Sequence, residues 1–227
     1  MPRAGFERQL RALEEELLIL GGMVSQAVSD AVRALKRRDL ESSRRLVAGD
    51  RLVNQRRYAI EAETLALIAT QQPIAGDLRC LAAILEIATE LERIGDYAKG
   101  ISRINLMIGE NALLKPLVDI PAMADRALDM LERALDAFVQ RDAVAARAIP
   151  LEDDVVDRLY NQVYRELISY VLDDQKVIEQ ANYLLWAAHN LERAADRVTN
   201  LCERVVYTVT GELVELSHDD SGIESVS

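Results

Sequence analysis

The sequence predicts an all-α protein made of two tandem three-helix bundles related by internal duplication, and three observations support this fold class. Apolar residues recur at spacings of three and four along nearly the whole chain, which is the period of an amphipathic helix. The composition also favours helices, since aromatic residues make up only 4% of the 227 residues and there are only 10 glycines and 5 prolines. Finally, the two halves match residue by residue.

The first half contains three predicted helices separated by two turns. The apolar periodicity places these helices over about residues 10–35, 40–70 and 74–109. Arg38-Asp39 is the expected first turn. Gln72-Pro73 is the expected second turn, because proline is tolerated at a helix start and disfavours helix in the residue before it. Turns this short predict an up-down-up bundle.

A linker and three further helices make up the second half. Residues 111–121 form the expected linker, since they include Pro116 and Pro121 and lack an apolar stripe. The later helices are expected over about residues 122–140, 143–172 and 175–210. Their expected ends are the pairs Arg141-Asp142 and Asp173-Asp174 and the capping residue Gly211.

This pattern divides the chain into two predicted domains and a tail. The domains are residues 1–112 and 119–212, each a three-helix bundle. The tail, residues 213–227, is acidic and rich in small residues, so we expect it to be disordered.

The duplication is clearest in an acidic signature, Leu-Glu-Arg-x-x-Asp, that occurs at equivalent places in both halves. It occurs at Leu91–Asp96 and again at Leu191–Asp196, an offset of 100 residues. The two Arg-Asp pairs repeat at an offset of 103, from residue 38 to residue 141. At that second offset Asp50 corresponds to Asp153, and Asn54 corresponds to Asp157. Three acidic positions therefore recur at equivalent places in both bundles, and a fourth is acidic in the second bundle only.

Each signature places two acids four residues apart on one helix face, where like charges repel and a compensating group is expected. That group is water, a basic neighbour or a metal ion. In an antiparallel bundle the start of the second helix lies near the late part of the third, so Asp50 reaches the level of Glu92 and Asp96. Such oxygen ligands suit a hard or borderline cation, although acidic pairs also occur on solvated helix faces. The candidate metal ligands are Asp50, Glu92, Asp96, Asp153, Asp157, Glu192 and Asp196.

The net charge and the absence of certain motifs disfavour several classes of protein. The formal net charge of −11 disfavours binding to a nucleic-acid backbone. We predict no enzymatic activity, because the sequence has no glycine-rich phosphate loop and no serine nucleophile elbow. The two cysteines are expected to be reduced core thiols. Without an apolar signal region or an uninterrupted apolar run of about 18 residues, we expect a soluble cytoplasmic protein.

Longer motifs surround the acidic pairs. The first half contains Gln71–Arg79 followed by Leu91–Asp96, and the second contains Asn190–Asn200 followed by Glu203–Tyr207 and Thr210-Gly211. Together these motifs resemble the PhoU family of phosphate-specific transport system accessory proteins. The resemblance covers about residues 5–212. The combination is specific, whereas Glu-x-x-x-Asp alone is a weak signal.

The resemblance implies two three-helix bundles in pseudo-twofold relation and a cytoplasmic, non-enzymatic regulator that is commonly a homodimer. It implies repression of the phosphate-starvation response when phosphate is plentiful. The implied partners are the ATPase subunit of the Pst phosphate transporter and a PhoR-like sensor histidine kinase, with membrane contact only through them. It also implies that the acidic pairs bind iron, zinc, manganese or magnesium, with Asp50, Asp153 and Asp157 as helper acids.

Two departures from the family pattern concern the candidate sites. Asn54 replaces an expected acid, so the first site is expected to be the weaker of the two or to select a different ion. Ala195 replaces a glycine, which is expected to change the approach of the helices near the second site. Two other hypotheses stay open at this point: a metal-storing or metal-dependent carboxylate bundle, and a purely structural helical scaffold.

Overall fold

The computed structural model describes residues 3–216, which form seven α-helices and no β-strand. Most of the predicted disordered tail, residues 217–227, lies outside the described residues. The helices are α1 (Arg3–Arg37), α2 (Leu40–Gln71), α3 (Ala75–Ile108), α4 (Asp119–Gln140), α5 (Ala143–Ala148), α6 (Asp153–Asp173) and α7 (Ile178–Thr210).

The two Arg-Asp pairs form equivalent turns, as the sequence predicted. Arg38 and Arg141 adopt the left-handed conformation, with φ of 59° and 56°. Asp39 is the N-cap residue of α2, and its Oδ1 accepts a hydrogen bond of 2.9 Å from Ser42 N. Asp142 is the N-cap residue of α5, and its Oδ1 accepts hydrogen bonds of 2.9 Å from Val144 N and Ala145 N. Each aspartate satisfies backbone donors that would otherwise be unpaired at the helix start.

We expect Asp142→Ala to lower the free energy of unfolding by about 1 kcal/mol, because the substitution removes the acceptor for two helix-start N–H groups. Asp142→Asn is the matched control, since an asparagine side chain also accepts these bonds and is expected to retain most of the stability. Urea denaturation followed by circular dichroism measures both. Equal losses for the alanine and asparagine variants would contradict the capping role.

The prediction of one continuous helix over residues 143–172 is wrong. The structure divides it into α5, a 3₁₀ turn at Ile149–Glu152, and α6. Pro150 lies in that turn. A proline has no N–H to donate, and its ring clashes with the carbonyl four residues before it, so a proline inside a helix kinks or breaks it. The consequence is that α6 begins at Asp153, one of the candidate ligands.

Helix α1 begins at Arg3, seven residues before the predicted start, and the remaining helix boundaries lie within three residues of prediction. Helix α4 begins at Asp119, three residues before the expected start. A 3₁₀ turn at Gln175–Val177 precedes α7, and Gly211 ends α7 with φ of 80°, as expected for a C-terminal capping glycine.

Helices α3 and α7 form an antiparallel central pair that joins the two halves. Glu86 Oε2 lies 3.0 Å from Arg204 NH1, and Glu90 Oε2 accepts a hydrogen bond of 3.3 Å from Asn200. The contact between positions 90 and 200 has its counterpart between positions 190 and 100. There a Cβ on Gly100 would lie 2.9 Å from Asn190 Oδ1, so a larger residue at position 100 would displace the Asn190 side chain. This reciprocal register places both acidic signatures at the same level of the central pair.

The other helices cover the central pair. Helices α1 and α2 pack on α3, whereas α4, α5 and α6 pack on α7, and α1 also contacts α4. One cluster of buried apolar side chains continues through both halves. Cys80 and Cys202 belong to that cluster and are free thiols, as predicted.

Helix α1 is long and apolar enough to span a membrane on length and composition alone, over Ala4–Arg37. Charged residues interrupt this stretch, so it is not a continuous apolar run. In the structure 44% of the most apolar 18-residue stretch of α1 is buried. Leu17, Leu20 and Val24 are fully buried. The apolar stripe of α1 therefore packs in the protein core.

Candidate functional site

The fold brings the predicted acids together in two clusters, one in each half. The first cluster comprises Asp50 and Asn54 on α2 with Glu92 and Asp96 on α3. The second cluster comprises Asp153 and Asp157 on α6 with Glu192 and Asp196 on α7. The antiparallel arrangement expected from the short turns is what places these acids at one level.

A lysine lies inside the first cluster. Lys99 Nζ is 2.7 Å from Asp50 Oδ2 and 3.2 Å from Asp96 Oδ1, so one ammonium group bridges α2 and α3. Asn54 Nδ2 donates a longer hydrogen bond of 3.4 Å to Asp50 Oδ2. The Asp50 side chain is only 9% exposed. Of the compensating groups expected from sequence, the structure shows a basic neighbour here.

The electrostatics of the first cluster reflect this pairing. The hydrogen bond to Asp50 is the main cause that raises the pKa of Lys99, with a further contribution from Asp96. Burial, followed by the nearby Asp96 charge, raises the pKa of Glu92, while Arg57 opposes that rise. The ammonium group of Lys99 is therefore held in its charged form by the carboxylates that it contacts.

The second cluster leaves a carboxylate without such compensation. Burial is the main cause that raises the pKa of Asp153 to about 7, and the negative charges of Asp157, Asp196 and Glu192 add to it. Asp153 Oδ1 is buried and has no hydrogen-bond partner among residues 3–216. Burial, followed by the charge of Asp196, also raises the pKa of Glu192. This is the pattern of several carboxylates that share one partly buried space.

Two basic side chains lie at the edge of the second cluster. His189 Nδ1 is 3.1 Å from Glu192 Oε2, and Arg193 Nε is 3.7 Å from Asp196 Oδ2. The charges with the largest effects on Asp153 are nevertheless all carboxylates. The position equivalent to Lys99 is Thr199, which is buried and whose Oγ1 has no partner in the described part of the chain. The two halves thus place different groups at one equivalent position.

Neither cluster is a preassembled metal site. Among the residues that the structure describes, no group of three or more His, Cys, Asp or Glu side chains is arranged so that it could hold one metal ion. The metal-ligating role of the seven candidate acids therefore remains a prediction.

Sequence reasoning missed Lys99, although a signal was present. Lys99 lies three residues after Asp96, which places both on one face of α3, and the equivalent residue of α7 is a threonine. Comparison of the two halves over the whole helix, rather than over the signature alone, would have found the difference.

The glycine of the first signature has a steric role. A Cβ on Gly95 would lie 3.2 Å from Val53 Cγ1, closer than ordinary van der Waals contact, so α2 approaches α3 closely at the first cluster. Ala195 is fully buried at the equivalent position of α7. The approach of α6 to α7 must leave room for that methyl group.

Comparison with known proteins places this chain in a family. The PhoU domain model matches residues 17–104 and again residues 120–205. The chain belongs to the PhoU family. The two matched segments agree with the duplication read from the sequence, and the fold class predicted there is confirmed. Similar proteins carry names that describe regulation or transport, so the alternative of a metal-storing bundle is not favoured.

Several relatives are similar over almost their full length. The phosphate-specific transport system accessory protein PhoU of Escherichia coli K12 is 35% identical over 207 residues, which is 91% of this chain and 86% of that protein. The PhoU homolog of Aquifex aeolicus is 34% identical, covering 93% of this chain and 96% of its own length. The crystal structure of the phosphate transport system regulatory protein PhoU from Streptococcus pneumoniae matches with a TM-score of 0.85 at 35% identity, over 92% of this chain and 99% of that one.

Proposed function

We propose that this PhoU-family protein is a cytoplasmic accessory protein of a phosphate-specific transport system that regulates phosphate uptake and phosphate-starvation signalling. One observation supports this most strongly. Both PhoU segments are present in order, and the match to proteins with this printed role covers 91% of this chain and 86% of the Escherichia coli relative. The proposal makes the protein a regulator rather than an enzyme, because its relatives are named as accessory proteins.

In this proposal the protein is an adaptor and a homodimer. It contacts the ATPase subunit of a Pst phosphate transporter and a PhoR-like sensor histidine kinase, and it represses the starvation response when phosphate is plentiful. Large side chains exposed on α6 and α7 support a role in protein contacts, since such residues are enriched in interfaces. Trp186 is 52% exposed, and Tyr164 and Ile168 are 46% and 41% exposed.

The proposal also assigns a divalent cation to the second cluster. The unpartnered Asp153 Oδ1 and the mutual repulsion of the carboxylates support this assignment. A bound cation would neutralise that repulsion, and oxygen ligands favour a hard ion such as Mg²⁺ or Mn²⁺ over iron or zinc held by softer ligands. Asp153, Asp157, Glu192 and Asp196 would hold it, after side-chain rotation brings their oxygens together.

Deletion of the gene in its own host tests the regulatory function. We expect alkaline phosphatase, or the equivalent phosphate-starvation reporter, to be expressed at high phosphate in the deletion strain, because the adaptor that represses the response is missing. Expression of the wild-type protein from a plasmid is expected to restore repression. Unchanged repression in the deletion strain would contradict the proposed function.

Variants of the second cluster test whether the cation matters to that function. Asp153→Asn combined with Glu192→Gln removes two ligands without changing side-chain size, and we expect it to restore repression incompletely. Asp125→Asn is the matched control, since Asp125 is an exposed carboxylate on α4 outside both clusters. Full repression by the cluster variant would remove the cation from the mechanism and leave the adaptor role intact.

A further inference from the structure

We propose that Lys99 is a built-in cation that takes the place of a metal ion in the first cluster, so that divalent cations bind this chain in its second half only. Its ammonium group contacts both Asp50 and Asp96, the acids that a metal ion would bridge between α2 and α3. The first half therefore does not fit the two-site arrangement that the duplicated signature suggests.

The geometry of Asp50 supports this assignment. One of its oxygens, Oδ2, accepts from Lys99 at 2.7 Å and from Asn54 at 3.4 Å, and the side chain is 9% exposed. A divalent ion needs carboxylate oxygens at about 2.0–2.6 Å and cannot share this space with an ammonium group. Binding of a metal ion would require Lys99 to leave and its charge to be solvated elsewhere.

The charge of the first cluster is also lower. Asn54 supplies a neutral amide where Asp157 supplies a carboxylate, and Lys99 supplies a positive charge where Thr199 supplies none. Basic side chains also lie at the edge of each cluster, with Arg57 near Glu92 and Arg193 3.7 Å from Asp196 Oδ2. The two clusters differ in that three carboxylates with an internal ammonium group attract a divalent ion less than four carboxylates do. Both substitutions act in the same direction, against metal binding in the first half.

Access does not explain the difference between the halves. Asp50 and Lys99 line a groove of about 760 Å³ between α1, α2 and α3, so solvent ions reach the first cluster. The Lys99 side chain is 22% exposed on that groove. The obstacle to a metal ion is therefore the lysine itself, and removal of the lysine should create a site.

Mn²⁺ binding is measured in a variant whose second cluster has lost two carboxylates. Metal binding in the second half rests on the cation proposed above, whereas the exclusion of metal by Lys99 does not. The full-length Asp153→Asn/Glu192→Gln protein is therefore titrated with Mn²⁺, and the electron paramagnetic resonance signal of free Mn²⁺ measures binding. We expect no site in this background, and one new site per chain when Lys99→Met is added.

Three further variants test whether a new Mn²⁺ site lies in the first cluster and depends on loss of the Lys99 charge. Asp50→Asn is expected to weaken the new Mn²⁺ site by at least about tenfold, because it removes a ligand. Lys99→Arg keeps the positive charge and is expected to create no site. Lys99→Thr reproduces the residue of the second half at the equivalent position and is expected to create one. If Lys99→Met does not fold alone, we expect Mn²⁺ to restore folding.

The outcomes are distinguishable. A Mn²⁺ site in the Asp153→Asn/Glu192→Gln protein that disappears with Asp50→Asn would overturn the inference, because the first cluster would bind metal with Lys99 present. Failure of both Lys99→Met and Lys99→Thr to gain a site, or to be rescued by Mn²⁺, would also overturn it. A wild-type protein that binds no Mn²⁺, together with a gain on loss of Lys99, would refute only the cation proposed for the second half.

Discussion

Replacement of Lys99 by methionine is expected to lower the free energy of unfolding by about 2 kcal/mol at neutral pH in a buffer without divalent ions. Methionine keeps most of the length of the side chain but removes the charge that Asp50 and Asp96 contact. Asp50 would then be a largely buried carboxylate beside other carboxylates, with no cation in contact. The loss is smaller than for a fully buried pair, because the Lys99 side chain is 22% exposed.

A double-mutant cycle identifies the cause of that loss. Asp50→Asn in the Lys99→Met protein removes the uncompensated charge, so we expect the double variant to recover part of the stability. Lys99→Arg is the charge-preserving control and is expected to cost less than Lys99→Met. Urea denaturation of the four proteins gives the coupling energy. A coupling below about 0.5 kcal/mol would show that the contact between Lys99 and Asp50 contributes little.

Asp153→Asn is expected to have the opposite effect and to stabilise the protein at pH 8. The pKa of Asp153 is raised from 3.8 to about 7 in the folded state. Between these values the folded protein holds a proton that the unfolded chain has released, so stability falls as pH rises from about 4 to about 7. Asparagine removes this dependence. The gain is therefore largest at pH 8 and small below pH 4.

The expected gain at pH 8 is about 1–2 kcal/mol. Three pKa units correspond to about 4 kcal/mol, but the cluster is partly open to water, which screens the repulsion. Thermal unfolding at a series of pH values in chelating buffer measures it. The matched control is Asp50→Asn, the same change at the equivalent position, which is expected to destabilise because Lys99 loses its partner. A gain that does not depend on pH would contradict the assignment to Asp153 ionisation.

Periodicity and turn chemistry were sufficient to predict most of the fold. The helical stripes, the two Arg-Asp turns and Gly211 all correspond to elements of the structure, because each depends on local backbone chemistry. The division of the fifth predicted helix at Pro150 has a local cause too. The known effect of proline on helices was enough to predict it. The bundle topology followed from turn length, and it correctly brought Asp50 to the level of Asp96.

The content of the clusters was less predictable. The helical period predicts on which face of α3 the Cα of Lys99 lies. Because a lysine side chain is long and flexible, the period does not predict which acids its ammonium group contacts. The contact of Lys99 with Asp50 crosses from one helix to another, so it depends on the interhelical distance that Gly95 permits. The sequence predicted that the two sites differ, from Asn54 and Asp157. The larger difference, at positions 99 and 199, is visible when the whole helices are compared, but the contact of Lys99 with Asp50 required the structure.

The duplicated fold thus supports two unequal clusters. In one, the acids are paired with Lys99, and in the other a buried Asp153 oxygen has no hydrogen-bond partner among residues 3–216. The most direct test is a crystal of the full-length protein grown with Mn²⁺ and measured for anomalous scattering. We expect an anomalous peak between α6 and α7, beside Asp153 and Glu192, and none between α2 and α3. A peak beside Asp50 with Lys99 turned away from it would contradict the assignment of Lys99 as the cation of the first cluster.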